Sequence, residues 1–346
     1  MIKLNARETQ ILKAHTNPSF TGRTVYTNSI FNYVELWLRQ GGSDNEESLY
    51  YWQQAKAFYE ASELLPLSAK PLTAYYCCLN ASKALLACHG ISLTQISHGV
   101  SSSRDKQKVI FSQNKIQLLP HGVFGELAKI IGEPQYHKEE RSVCELLYNI
   151  PCVHRPYTLS YKSVELFIPV ELYGFETDNR NRIAYLFRIL HKYTQGNARR
   201  YIPKAFEEVP NGFHAEEDKY TYFRTKRKDR YTWDIHQSLE IRIENLKNYY
   251  KQIRPSFYYV DRGALVWYIK KELPKTQTLD RSPLLLIYAL MHWMSELVRY
   301  NPQLFATFMD SKSNWLISEF VNVGLLQFVD GISSEITGAN ICLIDK

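Results

Sequence analysis

No secretory signal and no long apolar run are recognisable in the sequence. Residues 1–10 read MIKLNARETQ, with neither an apolar core nor a small-residue cleavage site. No stretch reaches the roughly 18 unbroken apolar residues typical of a membrane helix. The best candidate, Pro283–Val298, is interrupted by His292, Ser295 and Glu296. We therefore expect a cytoplasmic protein with no membrane partner.

The six cysteines lack a pattern. None form a CxxC pair, and their spacing follows no disulfide or zinc framework. Scattered cysteines in a chain of 346 residues are typical of a reduced intracellular protein. Cys77 and Cys78 lie in an apolar, helix-like run, so we expect them to be buried small hydrophobic residues.

The motifs of common enzyme classes are also missing. The chain has no GxxxxGK[ST], GxGxxG or HExxH motif, so those routes to ATP, dinucleotide and zinc chemistry gain no support. Three His-Gly pairs stand out, His89-Gly90, His98-Gly99 and His121-Gly122, but their spacing matches no metal site. We expect each glycine to end or turn a segment, and we identify no catalytic residue, no metal site and no cofactor.

What the chain does have is a composition typical of a folded protein and an uneven charge. The 45% hydrophobic and 22% charged content exclude a disordered chain. Of the net charge of +7, all lies between Arg180 and Arg230, which hold 13 Lys and Arg against 6 Asp and Glu. The rest of the chain has 29 of each.

Hydrophobic periodicity predicts helices at both ends of the chain. Val25–Gln40 fits either a strand or a helix. A capping box at Ser43–Glu46 predicts a helix that ends near Leu65, and a second helix runs from about Pro71 to Gly90. Short helices are expected at Val123–Ile131 and Val143–Tyr148.

The C-terminal part is predicted to return to helix. Ser282 is a candidate N-cap with Pro283 at the first helical position, and Leu284–Tyr300 is apolar almost all round, as in a central core helix. Trp315–Val329 predicts a last helix, with Gly331 as its stop.

Between the helices, hydrophobic residues recur at every second position, which predicts strands. The candidate strands are Ser163–Phe175, Arg182–Leu190, Tyr220–Lys226 and Phe257–Lys270, with a loop at Pro210–Asp218. The expected fold class is α+β, with a helical bundle formed by N- and C-terminal helices and an inserted β-rich region. The expected parts are residues 1–154, 155–272 and 273–346.

A basic stretch in the β-rich region is the strongest functional signal. Its candidate nucleic-acid-binding residues are Arg199, Arg200, Lys204, Arg224, Lys226, Arg227, Lys228 and Arg230. They are interleaved with Tyr193, Tyr201, Tyr220, Tyr222 and Tyr231. Cations bind phosphates with release of counterions, and aromatic faces stack on bases. A solvated hairpin, or one that contacts an acidic protein, explains the same pattern.

One spacing in this stretch suggests an enzyme. Arg230 and His236 form Arg-x5-His, and some helical RNases of the HEPN class use Arg-x4–6-His for phosphate charge and proton transfer. Here the pair lies in a strand-like basic region and not on a bundle helix. A HEPN-like, metal-independent RNase is therefore the alternative hypothesis.

Several short segments spread over most of the chain resemble the YaaC-like bacterial proteins. They are LSAKPLTAYY at Leu67–Tyr76, ASKAL at Ala81–Leu85, His98-Gly99, HGVFGEL at His121–Leu127, ELLYNIP at Glu145–Pro151 and MSELVRYNP at Met294–Pro302. The resemblance implies a cytoplasmic bacterial protein without an established catalytic set. The helical parts are also loosely similar to HEPN bundles, but the signature Arg and His are missing from the matching helices.

Together these observations predict a non-catalytic accessory or interaction protein of the YaaC-like type. We expect it to contact nucleic acid through the basic β-rich region, in a bacterial antiviral-defence or nucleic-acid-processing complex. Its 25 Tyr and 6 Trp also suit a protein interface, so a protein partner or a homo-oligomer is expected.

Overall fold

The computed structural model describes residues 1–102, 108, 110–209, 219–273 and 278–344. The predicted loop at Pro210–Asp218 lies outside these residues. The chain divides into two compact units. Unit 1 consists of Met1–Arg23 and Leu166–Thr276, and unit 2 consists of Thr24–Glu165 and Gln277–Lys346.

Strands and helices follow one another in a mixed order, which confirms the α+β class. The strands of the described residues are β1 (Lys3–Leu4), β2 (Arg7–Glu8), β3 (Val25–Thr27), β4 (Val100–Ser102), β5 (Lys115–Leu118), β6 (Glu139–Ser142), β7 (Phe167–Thr177), β8 (Ile183–Leu190), β9 (Phe206–Glu208), β10 (Tyr220–Thr225), β11 (Phe257–Asp261), β12 (Leu265–Lys270) and β13 (Ile341–Leu343). The helices of the described residues are α1 (Ile30–Gln40), α2 (Glu46–Glu63), α3 (Lys70–Cys88), α4 (Gly122–Ile131), α5 (Val143–Tyr148), α6 (Pro151–Tyr161), α7 (Leu239–Ile253), α8 (Pro283–Tyr300), α9 (Pro302–Met309), α10 (Asn314–Glu319) and α11 (Leu325–Thr337).

Unit 1 is built on an antiparallel sheet with the strand order β11-β12-β7-β8-β10-β9. Each period-two segment contains a strand, but β7 begins only at Phe167, and Phe257–Lys270 forms a hairpin, β11 and β12, and not one strand. Helix α7 covers one face of the sheet, where Leu246 and Tyr249 share a core with Phe175 and Tyr185. Burial of this aromatic-rich face holds the unit together.

The first residues of the chain belong to this sheet unit, whereas the sequence-based boundaries grouped them with the N-terminal helices. Ile2, Leu4 and Ile11 are buried in the sheet core. Arg254, only 1% exposed, donates from Nε to the carbonyl oxygen of Leu12 at 2.8 Å and from Nη2 to that of Lys13 at 2.6 Å. A buried guanidinium thus ties residues 12–13 to the end of α7.

Unit 2 is mainly helical. Helices α2 and α3 pack along each other, with Phe58 stacked on Tyr76 at 5.2 Å. Every residue of α8 from Leu284 to Leu297 is buried, which confirms the predicted central helix, and Ser282 caps it as predicted. Two small sheets complete the unit, β4-β5-β6 antiparallel and β3-β13 parallel.

Local details in unit 2 correct parts of the sequence analysis. Val25–Gln40 contains both a strand and a helix, β3 and α1. The capping box predicted at Ser43–Glu46 is wrong, because Gly42–Asn45 forms a 3-10 turn and α2 begins at Glu46 without a side-chain cap. Cys77 and Cys78 are fully buried as predicted, and burial raises the pKa of both thiols.

Gly331 does not end the last helix. It lies inside α11, and a Cβ atom there would come within 2.5 Å of Leu284 Cδ2 on α8. The glycine therefore permits close packing of the two helices, and Gly338, with φ of 69°, ends α11 instead.

By length and composition alone, one helical stretch of the described residues is apolar enough to cross a membrane, Asn314–Thr337. Its most apolar window is 72% buried within the protein. A core helix passes the same test, so the absence of a membrane partner stays a prediction.

Replacing Arg254 tests the anchor of the N-terminal segment. Arg254→Leu should lower the free energy of unfolding by about 3 kcal/mol, because buried carbonyl oxygens lose their charged donor. Urea denaturation measures the change. Lys251→Leu, at an exposed position of the same helix, is the control and should change the free energy by less than about 0.5 kcal/mol. Equal effects of the two substitutions would contradict the anchoring role.

Candidate functional site

Several basic residues of unit 1 lie where the turn between β7 and β8 meets the segment that follows β10. The backbone N–H of Ile183 donates to the carbonyl oxygen of Tyr231 at 3.0 Å, and that of Trp233 donates to Asn181 at 2.8 Å. These bonds hold residues 226–233 beside the β7–β8 turn. Exposed cations from both segments therefore share one end of the sheet: Arg180, Lys226, Lys228 and Arg230.

A cleft of about 610 Å³ opens at this end of the sheet. We call it the arginine cleft, and its lining residues are Glu176, Thr177, Asp178, Asn179, Arg180, Arg182, Leu186, Val209, Arg224 and Arg227. Four guanidinium groups thus face two carboxylates.

The arginines of the cleft are held by ion pairs. Arg227 Nη2 lies 2.7 Å from Glu176 Oε1, and Arg182 Nη2 lies 2.7 Å from Asp178 Oδ2. Burial alone would raise the pKa of Asp178, but hydrogen bonds from the side chain and backbone of Arg182 and from the backbone of Arg180 lower it to about 2. Asp178 therefore stays ionised at neutral pH.

The eight predicted nucleic-acid-binding residues fall into two groups. Four pair with carboxylates: Arg199 with Glu208, Lys204 with Glu272, Arg224 with Glu207 and Glu176, and Arg227 with Glu176 and Asp178. The other four, Arg200, Lys226, Lys228 and Arg230, form no ion pair with a described residue, although Lys228 donates to Gln252 and Arg200 to the Tyr201 hydroxyl.

Three of the five interleaved tyrosines are buried. Tyr220, Tyr222 and Tyr231 are only 6–8% exposed, because they alternate into the layers that pack on the sheet. These three rings are therefore not available for base stacking in this conformation, whereas Tyr193 and Tyr201 are only partly buried.

The Arg-x5-His pair of the alternative hypothesis lies in the connection between β10 and α7. Arg230 packs on the Tyr231 ring at 4.8 Å, and the backbone N–H of His236 donates to Asp234 Oδ1 at 3.0 Å. In the described part of the chain, no hydrogen bond or ion pair joins Arg230 to His236.

The two units carry net charges of opposite sign. Unit 1 holds 25 Lys and Arg against 15 Asp and Glu, a balance of +10, while unit 2 holds 17 against 20, a balance of −3. The two balances give the net charge of +7. Residues 1–23 add +3 to the basic unit.

Unit 2 contains a second polar site, which begins where two loops cross. Gly99 and Gly122 have φ of 76° and 75°. A Cβ on Gly99 would lie 2.4 Å from the carbonyl oxygen of His121, and one on Gly122 would lie 2.5 Å from that of Ser97. Only glycine allows this approach, so two of the three His-Gly pairs form one crossing.

The crossing places His98 against buried tyrosines. Tyr75 Oη lies 2.5 Å from His98 Nδ1, and Tyr288 Oη donates to the His98 carbonyl oxygen at 3.1 Å. Burial, with added repulsion from Tyr288, raises the pKa of Tyr75, so its hydroxyl keeps its proton and donates to Nδ1. The proton of neutral His98 then lies on Nε2.

Two polar residues of the core helix α8 lie next to this pair. The His292 and His98 rings are 5.5 Å apart, and His292 Nδ1 is 3.8 Å from Glu296 Oε2. Ser102 Oγ donates to Glu296 Oε2 at 2.6 Å. His98 is exposed while His292 and Glu296 are buried, so the polar site extends from solvent into the core.

The surroundings favour neutral His98. Although its side chain reaches solvent, partial burial of the His98 ring lowers its pKa below 6.5. The charge of Lys83 lowers the pKa further, Glu296 opposes this, and Arg299 adds to the lowering. A neutral imidazole at the surface can accept or donate a proton near neutral pH. No described group of three or more His, Cys, Asp and Glu side chains is arranged to hold a metal ion.

Sequence reasoning missed this second site although its signals are visible. His292 and Glu296 are spaced i, i+4 in a helix that is otherwise almost entirely apolar, and polar residues in such a helix need partners. The partner His98 lies 194 positions before His292, and no local pattern joins them.

The fold and its surfaces define an α+β protein with a basic sheet unit and an acidic helical unit. The family model described as YaaC-like Protein matches residues 23–336. The chain therefore belongs to the YaaC-like family, as its motifs indicated. Searches of curated proteins and of solved structures find no match.

The loop crossing can be tested with the three His-Gly pairs. Gly99→Ala and Gly122→Ala should each lower the free energy of unfolding by at least about 3 kcal/mol, because strain at positive φ adds to a clash with backbone atoms. Gly90→Ala is the matched control, since Gly90 also has positive φ but nothing within 4 Å of its Cβ position. It should cost about 1 kcal/mol. Equal losses in thermal denaturation would refute the crossing.

The protonation of His98 gives a second test. An NMR titration of its ring should have a midpoint below 6.5. Lys83→Met should raise this midpoint and Glu296→Gln should lower it further, while Lys129→Met should leave it unchanged. Because the unfolded state binds the proton more readily, the contribution of His98 to stability is complete above pH 6.5 and is lost as the pH falls through the folded-state pKa. A midpoint above 6.5 would contradict the geometry.

Proposed function

We propose that this protein binds nucleic acid through the cations at the arginine-cleft end of unit 1, as a non-catalytic component of a larger assembly. The observation that carries the proposal is the cluster of exposed cations Arg180, Lys226, Lys228 and Arg230, none of which forms an ion pair with a described residue. Unpaired cations on a unit with a charge of +10 attract the phosphate backbone over long range.

Because of internal ion pairs, fewer cations are available to a ligand than the sequence pattern predicted. Arg199, Lys204, Arg224 and Arg227 each have a carboxylate partner, so they contribute less free charge than their number implies. Binding should therefore depend on few phosphate contacts and show little base preference, because phosphate contacts position a strand without reading its sequence. We further propose that the protein is cytoplasmic and acts in an antiviral-defence or nucleic-acid-processing complex, with a protein partner or as a homo-oligomer.

A salt series tests the proposal. Binding of labelled single- and double-stranded DNA and RNA should weaken linearly in log–log form as salt rises. The variant Lys226→Gln/Lys228→Gln/Arg230→Gln should weaken binding by at least about tenfold and reduce the salt slope by about 2–3, because each cation neutralises one phosphate. Fluorescence anisotropy measures both quantities.

The control variant removes the same charge from unit 2. Lys115→Gln/Lys129→Gln/Lys138→Gln replaces three exposed lysines of that unit, and it should bind as the wild type does. Equal losses in the two variants would mean that only net charge matters, which contradicts a defined surface. No binding by the wild type at low salt would overturn the proposal. Probe cleavage that is lost in His236→Ala would instead identify the HEPN-like RNase of the alternative hypothesis.

A further inference from the structure

The arginine cleft differs from the exposed cations around it. Its four guanidinium groups and two carboxylates leave a charge of +2 on the lining. Glu207 and Asp229 approach two of these arginines from outside the lining, and the exposed cations Lys226, Lys228 and Arg230 outweigh them. A ligand that enters the cleft therefore meets a net positive charge.

Arg227 has a hydrogen-bonding donor left for such a ligand. Its side chain is only 10% exposed, and its Nε is buried without a hydrogen bond to any described residue. The Asp178 carboxylate is 3.8 Å from this Nε, beyond hydrogen-bonding distance. A buried donor of this kind is normally satisfied, and the planar guanidinium suits a phosphate that accepts two parallel hydrogen bonds.

The carboxylates hold the arginines in place before any ligand arrives. Glu176 contacts both Arg227, at 2.7 Å, and Arg224, at 4.0 Å. Asp178 likewise contacts Arg182 and Arg227. Each carboxylate is thus shared by two guanidinium groups, which limits its repulsion of an anion and reduces the side-chain entropy lost on binding.

We propose that the arginine cleft binds a terminal phosphate, the phosphomonoester at the end of a nucleic-acid strand or on a free nucleotide. A phosphomonoester carries about −1.5 to −2 at neutral pH, so a cleft of net positive charge attracts it more strongly than it attracts the single charge of an internal phosphodiester. The volume of about 610 Å³ lies within the usual range for small-ligand sites. If the ligand is the end of a strand, this inference rests on the proposed function. If the ligand is a free nucleotide, it does not.

The test compares three single-stranded oligonucleotides of one sequence, with a 5′-phosphate, a 3′-phosphate or hydroxyls at both ends. One phosphorylated form should bind the wild type at least about tenfold more tightly than the hydroxyl form. Arg227→Gln should abolish this preference, and any loss of affinity for the hydroxyl form should be smaller than the loss for the phosphorylated form. Arg227→Lys keeps the charge without the planar fork, so it should lose most of the preference while remaining folded.

Two controls separate the cleft from the exposed surface. Lys226→Gln/Lys228→Gln/Arg230→Gln should weaken all three oligonucleotides and keep the preference. Arg199→Gln, which removes a paired arginine outside the cleft, should also keep it. Adenosine 5′-monophosphate as a competitor distinguishes the two sources of phosphate. Competition at concentrations near the oligonucleotide affinity assigns a free nucleotide, and much weaker competition assigns a strand end.

The outcomes distinguish this inference from the proposed function. Equal affinity for all three oligonucleotides, with no competition by adenosine 5′-monophosphate, would overturn the phosphate site and leave the strand-binding surface standing. Adenosine 5′-monophosphate that binds the wild type but not Arg227→Gln, in the absence of oligonucleotide binding, would establish the cleft and overturn strand binding.

Discussion

A charged group that leaves water must find a partner, and this constraint shapes unit 1. Arg254 has the largest fully buried charged side chain of the unit. The backbone carbonyl oxygens of Leu12, Lys13 and Phe257 accept its hydrogen bonds. The N-terminal segment is therefore part of the sheet unit, because without it a buried guanidinium would lose two of these three acceptors. Lys13 follows the same rule, fully buried and 2.5 Å from Asp261.

The same constraint divides the basic stretch into paired and unpaired cations. Lys226, Arg227 and Lys228 are consecutive, yet Arg227 turns into the cleft toward Glu176 while its neighbours stay exposed. Counting charges along the sequence therefore overestimates the cations available to a ligand, and the strands that supply Glu176 and Glu207 determine which of them remain.

Local patterns predicted local structure, and contacts across the chain were not predictable. The alternating segments form strands, Ser282 caps α8, and α8 is buried, as the sequence predicted. Each of these features depends on residues only a few positions apart. By contrast, the crossing of Gly99 and Gly122 and the packing of Gly331 on Leu284 depend on backbone approach between distant segments. The excess of basic residues could be read from the sequence. Their ion pairs could not, because the partner carboxylates lie on other strands.

The separation of charge by unit bears on how the basic surface acts. Residues 1–23 contribute +3 to unit 1 although they lie far in sequence from Arg180–Arg230. A phosphate backbone responds to the summed field within a Debye length of about 8–10 Å at physiological salt, and not to position in the chain. Folding therefore places cations from two distant segments in one unit. In the proposed function, this charge attracts a nucleic-acid strand before any direct contact with the unpaired cations at the sheet end forms.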